Sequence, residues 1–168
     1  MKGKLQYLFG IAKFFEVLQS QKWFSATVLG FALALSSNRS FSVIQLQGVL
    51  FGVPLFLSYI MSINDYFDVE IDKMKEKYTG KELVVSTVIS PKTALFLSGS
   101  VLLVGLASAL FASMEFFLIV VLMVFLGTIY SVPPLRLKMK YPYSTLLLFL
   151  GDFLPFLAGY AILNPINL

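Results

Sequence analysis

Six of the nine acidic residues in this 168-residue sequence fall between Asp65 and Glu82. The densest part, residues 64–72, reads NDYFDVEID. On a helix, Asp65, Asp68 and Asp72 would lie within about a 60° arc of one face, and Asn64 would flank that arc. Three carboxylates on one face repel each other, so helix stability alone does not explain the pattern.

The residue types in this cluster limit the chemistry that it can support. The sequence contains no His and no Cys, which excludes imidazole and thiolate metal ligands and Ser-His catalysis. Oxygen ligands suit Mg²⁺, whose coordination is often completed by substrate phosphates. The spacing therefore favours a cation–diphosphate site at Asn64, Asp65, Asp68 and Asp72. The alternative is a solvated acidic helix end that the following Lys-rich loop neutralises.

The composition predicts that this cluster belongs to an integral membrane protein. Hydrophobic residues make up 58% of the sequence, charged residues 13%, and the mean hydropathy is +0.83. A soluble domain carries about 25% charged residues. Five apolar stretches approach the length that a bilayer-spanning helix needs, which predicts an all-α fold. The predicted spans are Trp23–Ser37, Phe41–Ile63, Thr93–Ala112, Met114–Val132 and Tyr143–Leu163.

Two further features of these segments can be predicted. Leu5 to Leu18 has the pattern of an amphipathic helix lying at the membrane interface. Pro54 lies inside the second span and should kink it. No cleavable signal peptide is apparent before the first span.

The segments that connect the predicted spans alternate strictly between rich and poor in Lys and Arg, of which the sequence has 13. Twelve fall on the side of the amino terminus, and only Arg39 falls on the other side. By the positive-inside rule, the amino terminus and the acidic cluster face the cytoplasm of a multi-pass protein, which we place in the cell membrane. The net charge of +4 then needs no nucleic-acid partner, because anionic membrane lipid or an anionic substrate is sufficient.

Two motifs resemble a known family. Asn64, Asp65, Asp68 and Asp72 match the NDxxDxxxD motif of the UbiA prenyltransferases, which those proteins carry at the cytoplasmic end of their second helix. Residues 130–138, YSVPPLRLK, resemble the YSxPPxRLK stretch that ends the fourth helix of the family. The resemblance covers essentially the whole chain. It implies that residues 1–168 form one membrane domain, whose five helices correspond to the first half of a nine-helix bundle.

The resemblance also implies a function. In the family, Mg²⁺ bridges the first Asp-rich motif and the diphosphate of an isoprenoid donor. Ionisation of the donor gives an allylic cation, which alkylates an acceptor. The residues carried over are the metal ligands Asn64, Asp65, Asp68 and Asp72, the catalytic residues Asp68, Asp72, Arg136 and Lys138, and the substrate-binding residues Asn64, Lys81, Tyr130 and Ser131. For the basic residues among them, anchoring by the positive-inside rule is an equally good interpretation.

The sequence departs from the family pattern in its acidic residues and in one loop. The family has a second Asp-rich motif on its sixth helix, and these 168 residues contain no second acidic cluster. In the loop after the first motif, Leu83 and Thr87 replace the usual Pro and Gly. We therefore expect a site that a second-half subunit or a second copy completes. The alternative is a truncated, non-catalytic protein that keeps the fold and binds metal or prenyl lipid.

Asp152 is a separate candidate because it lies inside the fifth predicted span. An ionisable residue in a span costs about 2.5–3.5 kcal/mol on insertion scales, so it should have a partner or face a cavity. The sequence predicts Arg136 or Lys138 as its partner, or a position in the substrate cavity. The alternative is a hydrated place near the membrane interface.

Overall fold

The computed structural model describes residues 21–37, 40–79 and 90–164, except the side chains at positions 70, 72, 73 and 75–79. These residues form helices that are joined by short turns, which confirms the predicted all-α fold. The predicted interfacial helix and Lys81 lie outside the described residues. The helices are α1 (Gln21–Ser36), α2 (Val43–Gln47), α3 (Val53–Thr79), α4 (Pro91–Ala112), α5 (Met114–Ser131) and α6 (Tyr143–Ala161).

α2 and α3 form one continuous helical segment with a local irregularity. Ser42 caps α2, since its hydroxyl accepts a hydrogen bond from the backbone N–H of Gln45, and the Gln45 side chain bonds back to the Ser42 N–H. A π-helical turn, Gly48–Gly52, joins the two helices just before Pro54. Pro54 has no N–H and its ring clashes with the carbonyl four residues earlier, which accounts for a π-helical turn at this place. The predicted kink stays a prediction.

α3 continues well past its apolar part, to Thr79. The acidic residues 64–72 therefore share one unbroken helix with the second membrane span. The helical repeat places Asn64, Asp68 and Asp72 one turn apart along it. The register that the spacing predicted for this cluster is thus present in the backbone.

Four helical segments are long and apolar enough to cross a membrane: Val43–Val69, α4, α5 and α6. The 16 described residues of α1 are fewer than the roughly 20 that a bilayer needs, so the count of five spans is approximate. Apolar side chains such as Phe96, Leu103 and Phe111 of α4 point outward and are well exposed. The protein is a multi-pass membrane protein.

α1 packs against α6 at unusually short range. A Cβ atom at Gly30 would overlap the carbonyl oxygen of Phe156, and one at Gly159 would overlap the carbonyl oxygen of Thr27. The two backbones are therefore in direct contact, which only glycine permits at these positions. This contact brings the first and last described helices together.

α3 is held against its two neighbours by buried apolar and polar contacts. Phe56 and Leu57 of α3 are buried in one core together with Phe116 of α5. Further toward the carboxyl end of α3, the hydroxyls of Ser62 and Ser98 are hydrogen-bonded at 2.8 Å and link α3 to α4. A Tyr59–Thr128 hydrogen bond of 3.0 Å links α3 to α5. These contacts fix the segment that carries Asn64 and Asp68.

Candidate functional site

Lys138 joins two side chains of the acidic motif on α3, those of Asn64 and Asp68. Its Nζ donates hydrogen bonds to Oδ1 of Asn64 at 2.8 Å and to both carboxylate oxygens of Asp68 at 2.6 Å. The side chains of Lys138 and Asp68 are only 10% and 13% exposed. Lys138 lies in a 3₁₀ turn, Leu137–Met139, that follows α5. The turn therefore folds back onto the acidic face of α3.

Arg136 reaches the same carboxylate from the same turn. Its guanidinium Nη2 donates to Oδ1 of Asp68 at 2.6 Å and to the backbone carbonyl of Phe67 at 3.2 Å. Its backbone φ of 39° is in the left-handed region, which is unfavourable for a residue with a Cβ. The Asp68 pairing helps to hold this conformation. Among the described residues, the buried Nε of Arg136 has no hydrogen-bond partner.

The end of α5 completes the polar side of the site. Ser131 is buried, and its hydroxyl donates to Oδ1 of Asn64 at 3.0 Å. Tyr130 is half-buried and lines the same cavity as Asn64. The site thus combines these α5 residues with Asn64 and Asp68 of α3 and with the cations of Arg136 and Lys138.

These polar groups lie at one part of a cavity of about 480 Å³. Helices α1, α3, α5 and α6 and the 3₁₀ turn contribute its walls. A cavity with few polar groups and a mostly apolar wall suits an amphipathic ligand with one strongly polar end. The apolar lining consists of Leu57, Ile60, Met61, Met123, Leu126, Leu147, Leu148 and Leu154.

The structure brings together some of the predicted site residues. Asn64, Asp68, Tyr130, Ser131 and Lys138 line one cavity, and Arg136 contacts Asp68. For the other three predicted site residues, Asp65, Asp72 and Lys81, a place in the site stays a prediction. Asp65 is half-buried on α3, the Asp72 side chain is outside the described set, and so is Lys81. Among the side chains that the structure describes, no three carboxylates converge on a common point.

The predicted partner of Asp152 was wrong. Its Oδ1 accepts hydrogen bonds from Nε1 of Trp23 at 2.8 Å and from Nζ of Lys22 at 3.1 Å. Arg136 and Lys138 pair with Asp68 instead, because the turn after α5 folds toward α3. Lys22 and Trp23 line the cavity, a role that was not predicted from the sequence. The available signal was a Lys-Trp pair at the start of the first span.

The fold is similar to that of several solved structures of one protein. A UbiA homologue from Archaeoglobus fulgidus matches with a TM-score of 0.72 and 22% identity, over 92% of this chain and 52% of that one. The same homologue bound to GPP and Mg²⁺ gives 0.74 and 23%, over 92% and 55%. Its complex with DMAPP and Mg²⁺ gives 0.73 and 23%, over 92% and 55%. The chain thus spans about half the length of these structures.

The sequence comparisons agree with the fold. No curated protein matches the chain in sequence. The model of the UbiA prenyltransferase family matches residues 24–166, which include every described helix but the first three residues of α1. The chain therefore belongs to the UbiA prenyltransferase family.

Proposed function

We propose that the protein binds the diphosphate of an isoprenoid donor together with Mg²⁺ and takes part in transfer of the prenyl chain. One observation carries this proposal. The oxygen-bearing side chains of Asn64 and Asp68 meet the cations of Arg136 and Lys138 at the polar part of an otherwise apolar cavity. The homologue crystallised with GPP and Mg²⁺ supports the same ligand class.

The donor set fits Mg²⁺. The oxygens of Asn64 and Asp68 already bind one cation, Nζ of Lys138, at 2.6–2.8 Å. We propose that Asn64, Asp65, Asp68 and Asp72 would hold the metal, since all four are oxygen donors on one helix. Bound there, Mg²⁺ would offset the negative charge of a departing diphosphate.

Arg136 and Lys138 would bind the diphosphate itself. Charge-assisted hydrogen bonds from such groups to phosphate oxygens are short and strong. Arg136 also has a buried Nε without a partner in the described structure, which a phosphate oxygen would satisfy. When the bond from C1 of the prenyl chain to the diphosphate oxygen breaks, its electron pair passes to that oxygen. Fixed cations at this place stabilise the developing charge.

The apolar wall would accept the hydrocarbon chain. Leu57, Met123 and Leu154 are buried at this wall and present no polar atom to the ligand. A dry environment strengthens the ionic contacts to the diphosphate and keeps water away from an allylic cation. The acceptor would attack C1 of that cation, form the new bond and lose a proton.

We further propose that the site faces the cytoplasm and is completed by more polypeptide. The basic residues that follow α5 are on the side that the positive-inside rule assigns to the cytoplasm. The single acidic cluster in these residues would supply one metal-binding wall, and a second-half subunit or a second copy of the chain would supply the other. The same single cluster also favours a second candidate function, a non-catalytic protein that binds metal or prenyl lipid.

Ligand binding tests the proposal directly. The purified protein in lipid nanodiscs should bind a non-hydrolysable geranylgeranyl diphosphate analogue only when Mg²⁺ is present. Asp68→Asn should weaken this binding at least tenfold, because it removes the charge that Mg²⁺, Arg136 and Lys138 share. Glu115→Gln is the matched control, since Glu115 lies in the first turn of α5, at the opposite end of that helix. Equal binding by wild type and Asp68→Asn would refute the proposed site.

A second measurement separates the two candidate functions. A transferase should release inorganic diphosphate from geranylgeranyl diphosphate in native membranes, which would contain an acceptor and any second-half subunit, and Asp68→Asn should abolish the release. A non-catalytic protein should bind the analogue in the same Asp68-dependent way but release nothing.

A further inference from the structure

The side chains of Lys22, Trp23 and Asp152 form a compact group that we call the indole cluster. The indole N–H of Trp23 donates to Oδ1 of Asp152 at 2.8 Å, and Nζ of Lys22 donates to the same oxygen at 3.1 Å. Nζ of Lys22 also lies 4.7 Å from the centroid of the Trp23 ring. The ring is therefore held both at its N–H edge and at one face.

The indole cluster borders the cavity of the candidate site. Trp23 and Lys22 line that cavity, and so does Gly151, the residue before Asp152. The space beside Gly151 is open, because no atom lies within 4 Å of the position that a Cβ would take. The half-buried Trp23 ring is thus part of the same wall as the apolar side chains of α3 and α5.

Asp152 makes a polar contact between α6 and α1 that is separate from the close backbone contact at Gly30 and Gly159. Asp152 lies in the middle of α6, and its side chain is 62% exposed. An ionisable group in an apolar, membrane-capable helix is unfavourable unless it has a polar partner or faces a ligand. Here its partners are the two residues of α1 that line the cavity.

We propose that Asp152 is a positioning residue that holds the Trp23 indole as a contact surface for the isoprenoid chain of the donor. The inference rests on the proposed function and adds the group that recognises the hydrocarbon part of the ligand. A flat ring offers a large apolar area to an isoprene unit, and its π face attracts positive charge that develops on an allylic chain. The diphosphate would be bound by other residues, so the two parts of the ligand can be tested separately.

The protein provides its own probe, because Trp23 is the single tryptophan of the sequence. Binding of Mg²⁺ with non-hydrolysable geranyl diphosphate should change the Trp23 emission, and binding of Mg²⁺ with inorganic diphosphate should leave it unchanged. If the prenyl ligand binds and the Trp23 emission does not change, the inference is wrong, and this test needs no variant.

Two variants of Asp152 test the positioning role. Asp152→Leu removes the acceptor of the indole hydrogen bond, and it should weaken binding of the prenyl analogue about three- to tenfold while leaving the affinity for inorganic diphosphate unchanged. Asp152→Asn keeps an oxygen acceptor and should restore most of the lost affinity. Trp23→Leu should reproduce the selective loss in a protein with an intact Asp152.

The outcomes distinguish this inference from the proposed function. If Asp152→Leu and Trp23→Leu bind the prenyl analogue as wild type does, the inference is wrong and the proposed function stands. If they weaken both ligands equally, Asp152 has only a structural role and the inference is again wrong. If wild type binds neither ligand, the proposed function fails and the inference fails with it.

Discussion

At the scale of single residues, Asp68 is the centre of the candidate site. Its carboxylate accepts hydrogen bonds from Arg136 and Lys138, and Lys138 also binds Asn64. In this well-buried place, each cation has a defined position before any ligand arrives. Such preorganisation favours binding of an anion, because little reorganisation is needed when it enters.

Lys138 offers a test at this scale. Lys138→Met keeps the length of the side chain but removes its charge, and we expect it to weaken binding of the diphosphate analogue about ten- to a hundredfold, since hydrogen bonds to charged groups contribute roughly 1.5–3 kcal/mol. Titration of the analogue in nanodiscs measures the effect. Lys140→Met is the control, because Lys140 is exposed two residues further along. Similar losses in both variants would indicate a general charge effect.

Part of the site could be predicted from the residues alone. The spacing predicted that Asp68 shares a helix face with Asp65 and Asp72 and that Asn64 flanks this face. The structure places Asn64 and Asp68 on one cavity. The partner of Asp152 could not be predicted. Its contact to Trp23 spans 129 positions of sequence and depends on how closely two helices approach, which no local pattern encodes.

At the scale of the helices, glycines decide how close α1 and α6 come. Sequence hydropathy predicted where the spans lie, and α4, α5 and α6 begin within two residues of their predicted starts. Hydropathy did not predict that α3 continues to Thr79, because the last turns of α3 are polar and a hydropathy profile detects only apolar segments. Nor did it indicate which helices are neighbours, since lipid-facing and protein-facing apolar residues look alike.

Gly159 provides the test for this contact. Gly159→Ala places a methyl group on the carbonyl oxygen of Thr27, so α1 and α6 must separate. We expect destabilisation by about 1–3 kcal/mol, measured as a lower thermal unfolding midpoint in detergent. Gly99→Ala is the matched control, because no atom lies within 4 Å of the added Cβ. An unchanged midpoint for Gly159→Ala would contradict the backbone contact.

At the scale of the whole molecule, the charge distribution predicts one orientation in the membrane. Arg136, Lys138 and Lys140 follow α5, whereas Glu115 is the charged residue at its beginning. The positive-inside rule then predicts that the candidate site faces the cytoplasm. The two ends of α5 should therefore be reachable from opposite sides.

Cysteine labelling can measure this orientation, because the sequence contains no Cys and gives no background. In intact cells, a membrane-impermeant maleimide should label Met114→Cys, which is exposed at the start of α5. It should label Lys140→Cys only after the membrane is permeabilised. The reverse pattern would show that the site faces outward.

The contact between α1 and α6 also sets the order of events during biosynthesis. α1 can pack against α6 only after Gly159 has been synthesised, 132 residues after Thr27. At the usual rate of translation this takes roughly ten seconds, during which α1 has no α6 to pack against. The cavity, whose wall includes residues of both helices, closes only when α6 leaves the translocon. A slow or interrupted synthesis of the last helix would leave a chain that has the acidic motif but lacks the cavity wall that α6 contributes.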